Sequence, residues 1–196
     1  METYLISTAL VALAEMGDRT QLLAVMLATR YRQPLPILAG ILVATVANHS
    51  LAALAGFYLA SLLSATWFKF AVSVSFIAMA IWALVPDKAS EDGKPERQHW
   101  GVFMTTVVSF FLVEIGDKTQ VATVALAARY HSVLSVAAGT TSGMMAANAP
   151  GVFLGRALTR FLAINVLRVG AALLYLVLGS WGVAAAAGWL PEGFRP

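Results

Sequence analysis

The 196-residue sequence contains no cysteine and few charged side chains. Without cysteine there are no disulfides and no thiolate metal ligands, so a metal site would need other donor atoms. Charged residues make up 12% of the chain, about half the roughly 25% that is usual in a globular domain. Hydrophobic residues make up 59%. This balance is typical of a membrane protein.

Two further absences narrow the class of protein. The net charge is +3, yet there is no basic run and no aromatic–basic interleaving of the kind that binds nucleic acid. There is no GxxxxGK[ST] phosphate-binding loop, which argues against ATP as an energy source. The N-terminal stretch "METYLISTALVALAEMGDRT" has no basic segment before its apolar run, so it is predicted to be a transmembrane helix and not a cleaved signal.

Apolar runs separated by charged or turn-rich breaks predict an all-α membrane protein with six transmembrane helices. The predicted spans are roughly 4–29, 35–60, 67–85, 101–128, 133–155 and 164–188. The longest polar segment, 86–99, is predicted to be a linker. It divides the chain into a first three-helix repeat at 1–85 and a second at 100–190.

The two halves are copies of each other at an offset of 99 residues without gaps. Matching pairs include Glu15/Glu114, Gly17/Gly116, Asp18/Asp117, Thr20/Thr119, Gln21/Gln120, Arg30/Arg129 and Gly40/Gly139. Because each half has an odd number of spans, the second copy must enter the membrane from the opposite side. Such inverted-topology repeats are typical of secondary transporters, whose sites lie where the repeats meet.

The distribution of lysine and arginine predicts the orientation. Eight of these residues fall on the side of the 86–99 linker and three on the other side. Since cytoplasmic loops carry the excess of Lys and Arg, the linker is predicted to be cytoplasmic and both termini to lie outside the cytoplasm.

Four acidic residues stand out because they lie inside predicted spans, in the stretches "AEMGDRTQ" and "VEIGDKTQ". Glu15 is about 16 Å along a helix from Tyr4, and Glu114 about 20 Å from Gly101. In a hydrocarbon core about 30 Å thick, both motifs are near the middle. A charge at this depth costs on the order of 3 kcal/mol, so a compensating partner is expected.

The spacing of each motif predicts that Glu and Asp share one helix face, that Gln extends it, and that Arg19 and Lys118 form ion pairs within their own motifs. The glycine between the acids would allow a close backbone approach or a local unwinding of the helix. The candidate cation-binding residues are Glu15, Asp18, Gln21, Glu114, Asp117 and Gln120, with the four acids as metal ligands. The supporting residues are Gly17, Arg19, Thr20, Gly116, Lys118 and Thr119.

The chemistry of this set favours a hard divalent cation. Every candidate ligand atom is oxygen, which suits calcium, manganese and magnesium better than zinc or copper. Four acids and two bases leave a net charge of −2, which protons or a metal would balance. The structural alternative is that the acids and bases only neutralise each other and hold helices together.

Asn48, His49 and Asn148 are further polar residues inside predicted spans, and the offset pairs His49 with Asn148. Two interpretations are open for them. They could line the transport pathway or relay protons, or they could form hydrogen bonds between helices. Two GxxxG spacings, at Gly139/Gly143 and Gly151/Gly155, predict close helix packing.

The duplicated E-x-G-D-[KR]-[TS] signature, "EMGDRT" and "EIGDKT", resembles a family of cation transporters. This family includes the Golgi calcium/manganese transporter of eukaryotes and the MneA-type manganese exporters of bacteria. The resemblance covers nearly the whole chain, and the short length is similar to the bacterial branch. It implies export of manganese, with calcium as a second substrate, in exchange for protons across a bacterial inner membrane. It also implies that the four motif acids bind the cation.

This resemblance predicts a transporter and not an enzyme, with the cation as substrate, no resident cofactor, and the lipid bilayer and protons as its other partners. Protons and a divalent ion would compete for the same carboxylates, which is the basis of antiport. Two alternatives belong to other classes. One is an exporter of small organic solutes such as amino acids. The other is an intramembrane aspartyl enzyme that uses Asp18 and Asp117.

Overall fold

The computed structural model describes residues 1–62, 65–85, 101–154 and 164–189. Within these ranges the chain forms α-helices and no β-strand. In chain order the helices are α1 (Glu2–Glu15), α2 (Arg19–Tyr31), α3 (Pro34–Leu62), α4 (Ala65–Leu84), α5 (Val102–Glu114), α6 (Lys118–Tyr130), α7 (Val133–Leu154) and α8 (Ile164–Ala186). The predicted linker at 86–99 lies outside the described residues, so its cytoplasmic position stays a prediction.

Four of the six predicted spans correspond to single helices, namely α3, α4, α7 and α8, with ends within a few residues of those predicted. The first and fourth spans differ, because each consists of two helices separated by a short break. The break between α1 and α2 covers Met16–Asp18, and the break between α5 and α6 covers Ile115–Asp117. Both breaks fall on the acidic motifs.

Glycine makes each break possible. Gly17 has φ +84° and Gly116 has φ +75°, in the left-handed region that only glycine adopts easily. The residue before each glycine is extended and ends the preceding helix. The aspartate after it is also extended and is the N-cap of the next helix, a position that aspartate favours.

The turns after α2 and α6 repeat each other as well. Arg32 and His131 have φ +54° and +49°, and both close the preceding helix as left-handed caps. Their backbone N–H groups donate to the carbonyls of Ala28 and Ala127 at 3.0 and 2.9 Å. These residues are 99 apart in the chain, so the helix–break–helix–turn unit is built twice in the same way.

The two halves pack on each other reciprocally. A Cβ added at Gly40 of α3 would lie 2.9 Å from the carbonyl oxygen of Phe103 in α5. A Cβ added at Gly139 of α7 would lie 2.6 Å from that of Tyr4 in α1. Gly139 is the counterpart of Gly40 at the 99-residue offset, and Phe103 is the counterpart of Tyr4. The first long helix of each half, α3 or α7, therefore packs on the first helix of the other half.

The predicted close packing at Gly139/Gly143 is confirmed, since a Cβ at Gly143 would lie 2.5 Å from the carbonyl oxygen of Thr8. Gly151 packs less tightly, with Val25 Cγ2 at 3.2 Å from the added Cβ, and Gly155 lies outside the described residues. Helices α4 and α8 form a pair of their own. In this pair Phe76 and Tyr175, again 99 apart, bring their ring centroids to 6.2 Å.

Many large apolar side chains point outward. Among the described residues, Pro34–Ser61 and Val169–Ala186 are long and apolar enough to cross a membrane, and Phe70–Leu84 and Val102–Glu114 are shorter apolar helices. Exposed residues such as Leu51 at 58% and Leu173 at 56% lie on the two long helices. An aqueous surface would disfavour this exposure, so the outer face suits lipid.

Candidate cation-binding site

Three carboxylates from the two helix breaks meet in the interior. Glu15, Asp18 and Asp117 each offer an oxygen atom, and these atoms all lie within 4.8 Å of one another. All three side chains are buried, with at most 5% exposed. Two oxygens that bind one calcium ion at about 2.3–2.6 Å can lie about 5 Å apart. Three atoms with this spacing lie at most about 2.8 Å from a common centre, so small side-chain shifts would let one ion contact all three carboxylates.

The fourth predicted ligand, Glu114, lies beside this cluster. It is the last residue of α5 and is fully buried. It lies close enough to Asp117 and Glu15 for their carboxylates to repel one another when ionised. Its Oε2 atom lies 3.8 Å from Nε2 of His49. The structure thus brings the acids of both motifs together, three in a compact group and one next to it.

The predicted shared helix face is wrong, because the helix ends between the two acids of each motif. Glu15 is the last residue of α1, and Asp18 is the N-cap of α2. The acids face each other across a glycine turn instead. The spacing rule for helix neighbours does not apply where the glycine takes a left-handed conformation.

The ion pair of Arg19 deviates from the prediction. The Arg19 guanidinium donates from Nη2 to Asp117 Oδ1 at 2.7 Å, so this ion pair joins the two motifs, whereas the spacing predicted a pair within one. Lys118, its counterpart, is 7% exposed. Its Nζ donates to the carbonyl of Val85 at 3.3 Å and lies 6.0 Å from the centroid of the Trp82 ring.

The threonines hold the carboxylates in place. The Thr20 hydroxyl donates to Oε2 of Glu15, which binds the start of α2 to the end of α1. Thr119 donates from its backbone N–H and its hydroxyl to Oδ2 of Asp117, at 3.4 and 3.3 Å. Both threonines are buried, and their hydrogen bonds hold one oxygen of each carboxylate in place.

The glutamines close the breaks. Gln21 Oε1 accepts a hydrogen bond from the Gly17 N–H at 2.9 Å, and Gln120 Oε1 accepts one from the Gly116 N–H at 2.7 Å. Gln21 also donates to the carbonyl of Ala147 in α7 at 2.7 Å. Each carboxamide oxygen therefore satisfies a glycine N–H that the break leaves outside the helix. A further role of these oxygens as cation ligands stays a prediction.

Several carboxylate oxygens of the site have no hydrogen-bond donor within the described part of the chain. They are Glu15 Oε1 and both carboxylate oxygens of Glu114. A buried polar atom without a partner is unfavourable, and an ionised carboxylate especially so. A cation or a proton is the kind of partner that these oxygens lack.

Tyr175 extends the site beyond the motifs. A small pocket beside the acids is lined by Asp18, Lys118, Met16 and Tyr175, among others. The Tyr175 hydroxyl is buried and has no hydrogen-bond partner among the described residues. Sequence reasoning missed it, although the offset pairs Tyr175 with Phe76 and so marks the hydroxyl as a difference between the copies.

The polar residues of α3 and α7 take different roles. Asn48 donates to the carbonyl of Phe111 in α5 at 3.1 Å, which is a hydrogen bond between helices. Asn148 donates to the carbonyl of Met144 in its own helix at 3.1 Å. His49 is fully buried with its imidazole next to Glu114.

Together these features define a class: a helical integral membrane protein with an acidic, oxygen-lined site between two duplicated helix breaks. A sequence comparison identifies the family. The profile described as "Divalent cation/proton antiporter GDT1" matches residues 3–91 and 102–189. The chain belongs to this family. It is therefore a cation transporter and not an enzyme, as the duplicated signature predicted.

A relative supports the assignment. The chain is 46% identical over 179 residues to a protein of Vibrio cholerae serotype O1 named "Putative manganese exporter". The match covers 91% of this chain and 88% of that protein. No solved structure matches the chain.

Proposed function

We propose that this protein exports Mn²⁺ from the cytoplasm in exchange for protons, with Ca²⁺ as a second substrate, across a bacterial inner membrane. The observation that carries the proposal is the meeting of Glu15, Asp18 and Asp117 at the two helix breaks. Buried carboxylates of this kind bind hard divalent cations. The family's description and the name of the Vibrio relative support the choice of ions.

The exchange follows from competition at one site. A carboxylate that holds a proton cannot bind the cation, so binding of the cation releases protons and protonation releases the cation. Glu15 and Glu114 are suited to this alternation, because Oε1 of Glu15 and both carboxylate oxygens of Glu114 lack donors within the described residues. The carboxylates would carry protons in one direction and the cation in the other.

The six-span inverted repeat is the architecture that fits this function best. Reciprocal contacts, such as Gly40 on α5 and Gly139 on α1, support a two-fold relation between the halves. With three spans per half, the axis of such a relation lies in the membrane plane. The site would then open alternately to either side, with both termini outside the cytoplasm. The two matches of the family profile, one in each half, also fit a duplication.

Arg19 and Lys118 would act as tethers in the cation-free state. The Arg19 guanidinium already holds Asp117 at 2.7 Å, and Lys118 lines the same pocket as Asp18. Each base would stabilise an aspartate of the other half until a cation arrives. Release of the tether would free the aspartate oxygens for the ion, and its return would help to expel the ion.

Cation flux in proteoliposomes with an imposed pH gradient tests the proposal. Wild type should move Mn²⁺ against the direction of proton flow, and Asp117→Asn should abolish this flux while the protein still inserts into the vesicles. Glu2→Gln is the matched control, because Glu2 is an exposed acid at the start of α1. Wild-type vesicles that move amino acids but no divalent cation would favour the organic-solute alternative and contradict the proposal.

A further inference from the structure

His49 is a polar residue of the interior that the oxygen-only description of the site leaves out. It lies in α3 and its side chain is 0% exposed. Neither ring nitrogen has a hydrogen-bond partner among the described residues. A fully buried imidazole usually has at least one such partner, so its position calls for an explanation.

The imidazole faces the acidic site. Its Nε2 lies 3.8 Å from Oε2 of Glu114, the buried motif acid at the end of α5. Two ligand atoms that bind one ion at about 2.1 Å each can lie up to about 4.2 Å apart. An ion between Nε2 and Oε2 is therefore compatible with the observed separation.

The second half of the molecule has no imidazole at this place. The 99-residue offset puts Asn148 opposite His49, and the Asn148 amide donates within its own helix to Met144. The acids are duplicated, whereas the nitrogen donor is present once. The two halves of the site therefore differ in ligand chemistry although their backbones repeat.

We infer that His49 supplies a nitrogen ligand beside Glu114 and makes the site selective for a first-row transition-metal ion such as Mn²⁺ over Ca²⁺ and Mg²⁺. Calcium and magnesium take oxygen ligands almost exclusively. Imidazole is a ligand of first-row transition metals, so one such donor shifts selectivity without a change in the number of carboxylates. This inference rests on the proposed function, because it names what chooses among the cations at that same site.

Two substitutions separate ligand chemistry from packing. His49→Gln places an amide near the Nε2 position, so it exchanges nitrogen for oxygen at similar length. His49→Asn gives the first half the residue of the second half. Asn48→Ser is the control, because it weakens the hydrogen bond between α3 and α5 without touching the imidazole. A purely structural role of His49 would lower the flux of all ions alike in both His49 variants.

The ratio of Mn²⁺ to Ca²⁺ initial rates in proteoliposomes is the first readout. We expect this ratio to fall about tenfold in both His49 variants, the size that loss of a metal-site contact typically has. It should stay at the wild-type value in Asn48→Ser. An unchanged ratio in both His49 variants, with wild type still moving both ions, would overturn the inference and leave the proposed function intact. Wild type that moves neither ion would overturn both.

Pulsed electron paramagnetic resonance of bound Mn²⁺ is the second readout and does not depend on transport. The purified wild-type protein with Mn²⁺ should show ¹⁴N coupling from a directly bound nitrogen, and His49→Gln should lose it. Bound Mn²⁺ without nitrogen coupling in wild type would overturn the inference.

Discussion

The guanidinium of Arg19 lies 2.7 Å from Oδ1 of Asp117, so the first residue of α2 is bound to the residue that caps α6. The Arg19 side chain is 31% exposed, whereas that of Asp117 is only 2% exposed. The pair thus links the two helix breaks and places a positive charge directly beside the acidic cluster. Both charges therefore affect the binding energy of a cation that binds beside them.

Substitution of Arg19 tests whether this charge competes with the cation. Arg19→Gln removes the positive charge that occupies Asp117, so the KM for Mn²⁺ should fall several-fold. The maximal rate should fall too, because the bound ion is no longer displaced by the returning guanidinium. The Mn²⁺ dependence of flux measures both quantities. Arg30→Gln, at the other end of α2, is the control and should leave the KM unchanged. A higher KM in Arg19→Gln would speak against a competing tether.

The stability of the break between α5 and α6 should depend on the left-handed conformation of Gly116. Gly116 has φ +75° but open space around a would-be Cβ, so Gly116→Ala adds backbone strain without a clash. This strain costs about 1–2 kcal/mol. Gly170 also has open space but lies inside α8, where alanine is favoured over glycine by about 1 kcal/mol. Thermal unfolding in detergent should therefore show a lower Tm for Gly116→Ala and an equal or higher Tm for Gly170→Ala. Equal shifts in both variants would contradict the strained turn.

The close contact between α3 and α6 predicts a larger loss of stability when its glycine is replaced by alanine. A Cβ at Gly56 would lie 2.1 Å from the carbonyl oxygen of Val124, and a backbone atom cannot move aside as a side chain can. We expect Gly56→Ala to lower the free energy of unfolding by about 3 kcal/mol. The nearest atom to a Cβ at Gly151 is a methyl group of Val25 at 3.2 Å, so Gly151→Ala should cost much less. Unfolding in detergent would measure both, and similar losses would show that the packing is less close than described.

Competition between protons and cation predicts a pH dependence with a definite sign. A lower pH on the side from which Mn²⁺ binds should raise the KM, because protonated carboxylates cannot bind the ion. With one competing proton the rise is at most about tenfold per pH unit. Flux measured at a series of internal pH values, with the external pH held constant, would establish this slope. A KM that is independent of pH would mean that protons and Mn²⁺ do not share ligands.

The sequence predicted the helical class, the bounds of four helices and the proximity of the motif acids. These predictions succeeded because the hydrophobic runs and the 99-residue duplication are signals spread over many residues, so no single local contact can overturn them. The four single-helix spans end within a few residues of their predicted bounds. The carboxylates of Glu15, Asp18 and Asp117 meet because the same break is built twice, once in each copy.

What sequence reasoning missed is local. Glu15 and Asp18 were expected on one helix face, but Gly17 takes a left-handed conformation and ends the helix between them. A glycine in a span allows either outcome, and tertiary contacts such as that of Gln21 with Ala147 decide between them. The partner of Arg19 was missed for the same reason, since a pair between halves depends on how the halves dock. Tyr175 was missed although it carried a usable signal, because its counterpart Phe76 has no hydroxyl. His49 was named among the polar residues of the spans, but its position beside Glu114 could not be predicted.

The most direct measurement is an anomalous difference map at the manganese edge from crystals of the protein grown with Mn²⁺. One peak per chain should appear between the two breaks, with oxygen atoms of Glu15, Asp18 and Asp117 within about 2.5 Å of it. A peak bound by the acids of one half alone, or no peak near either break, would contradict a cation site shared by the two copies.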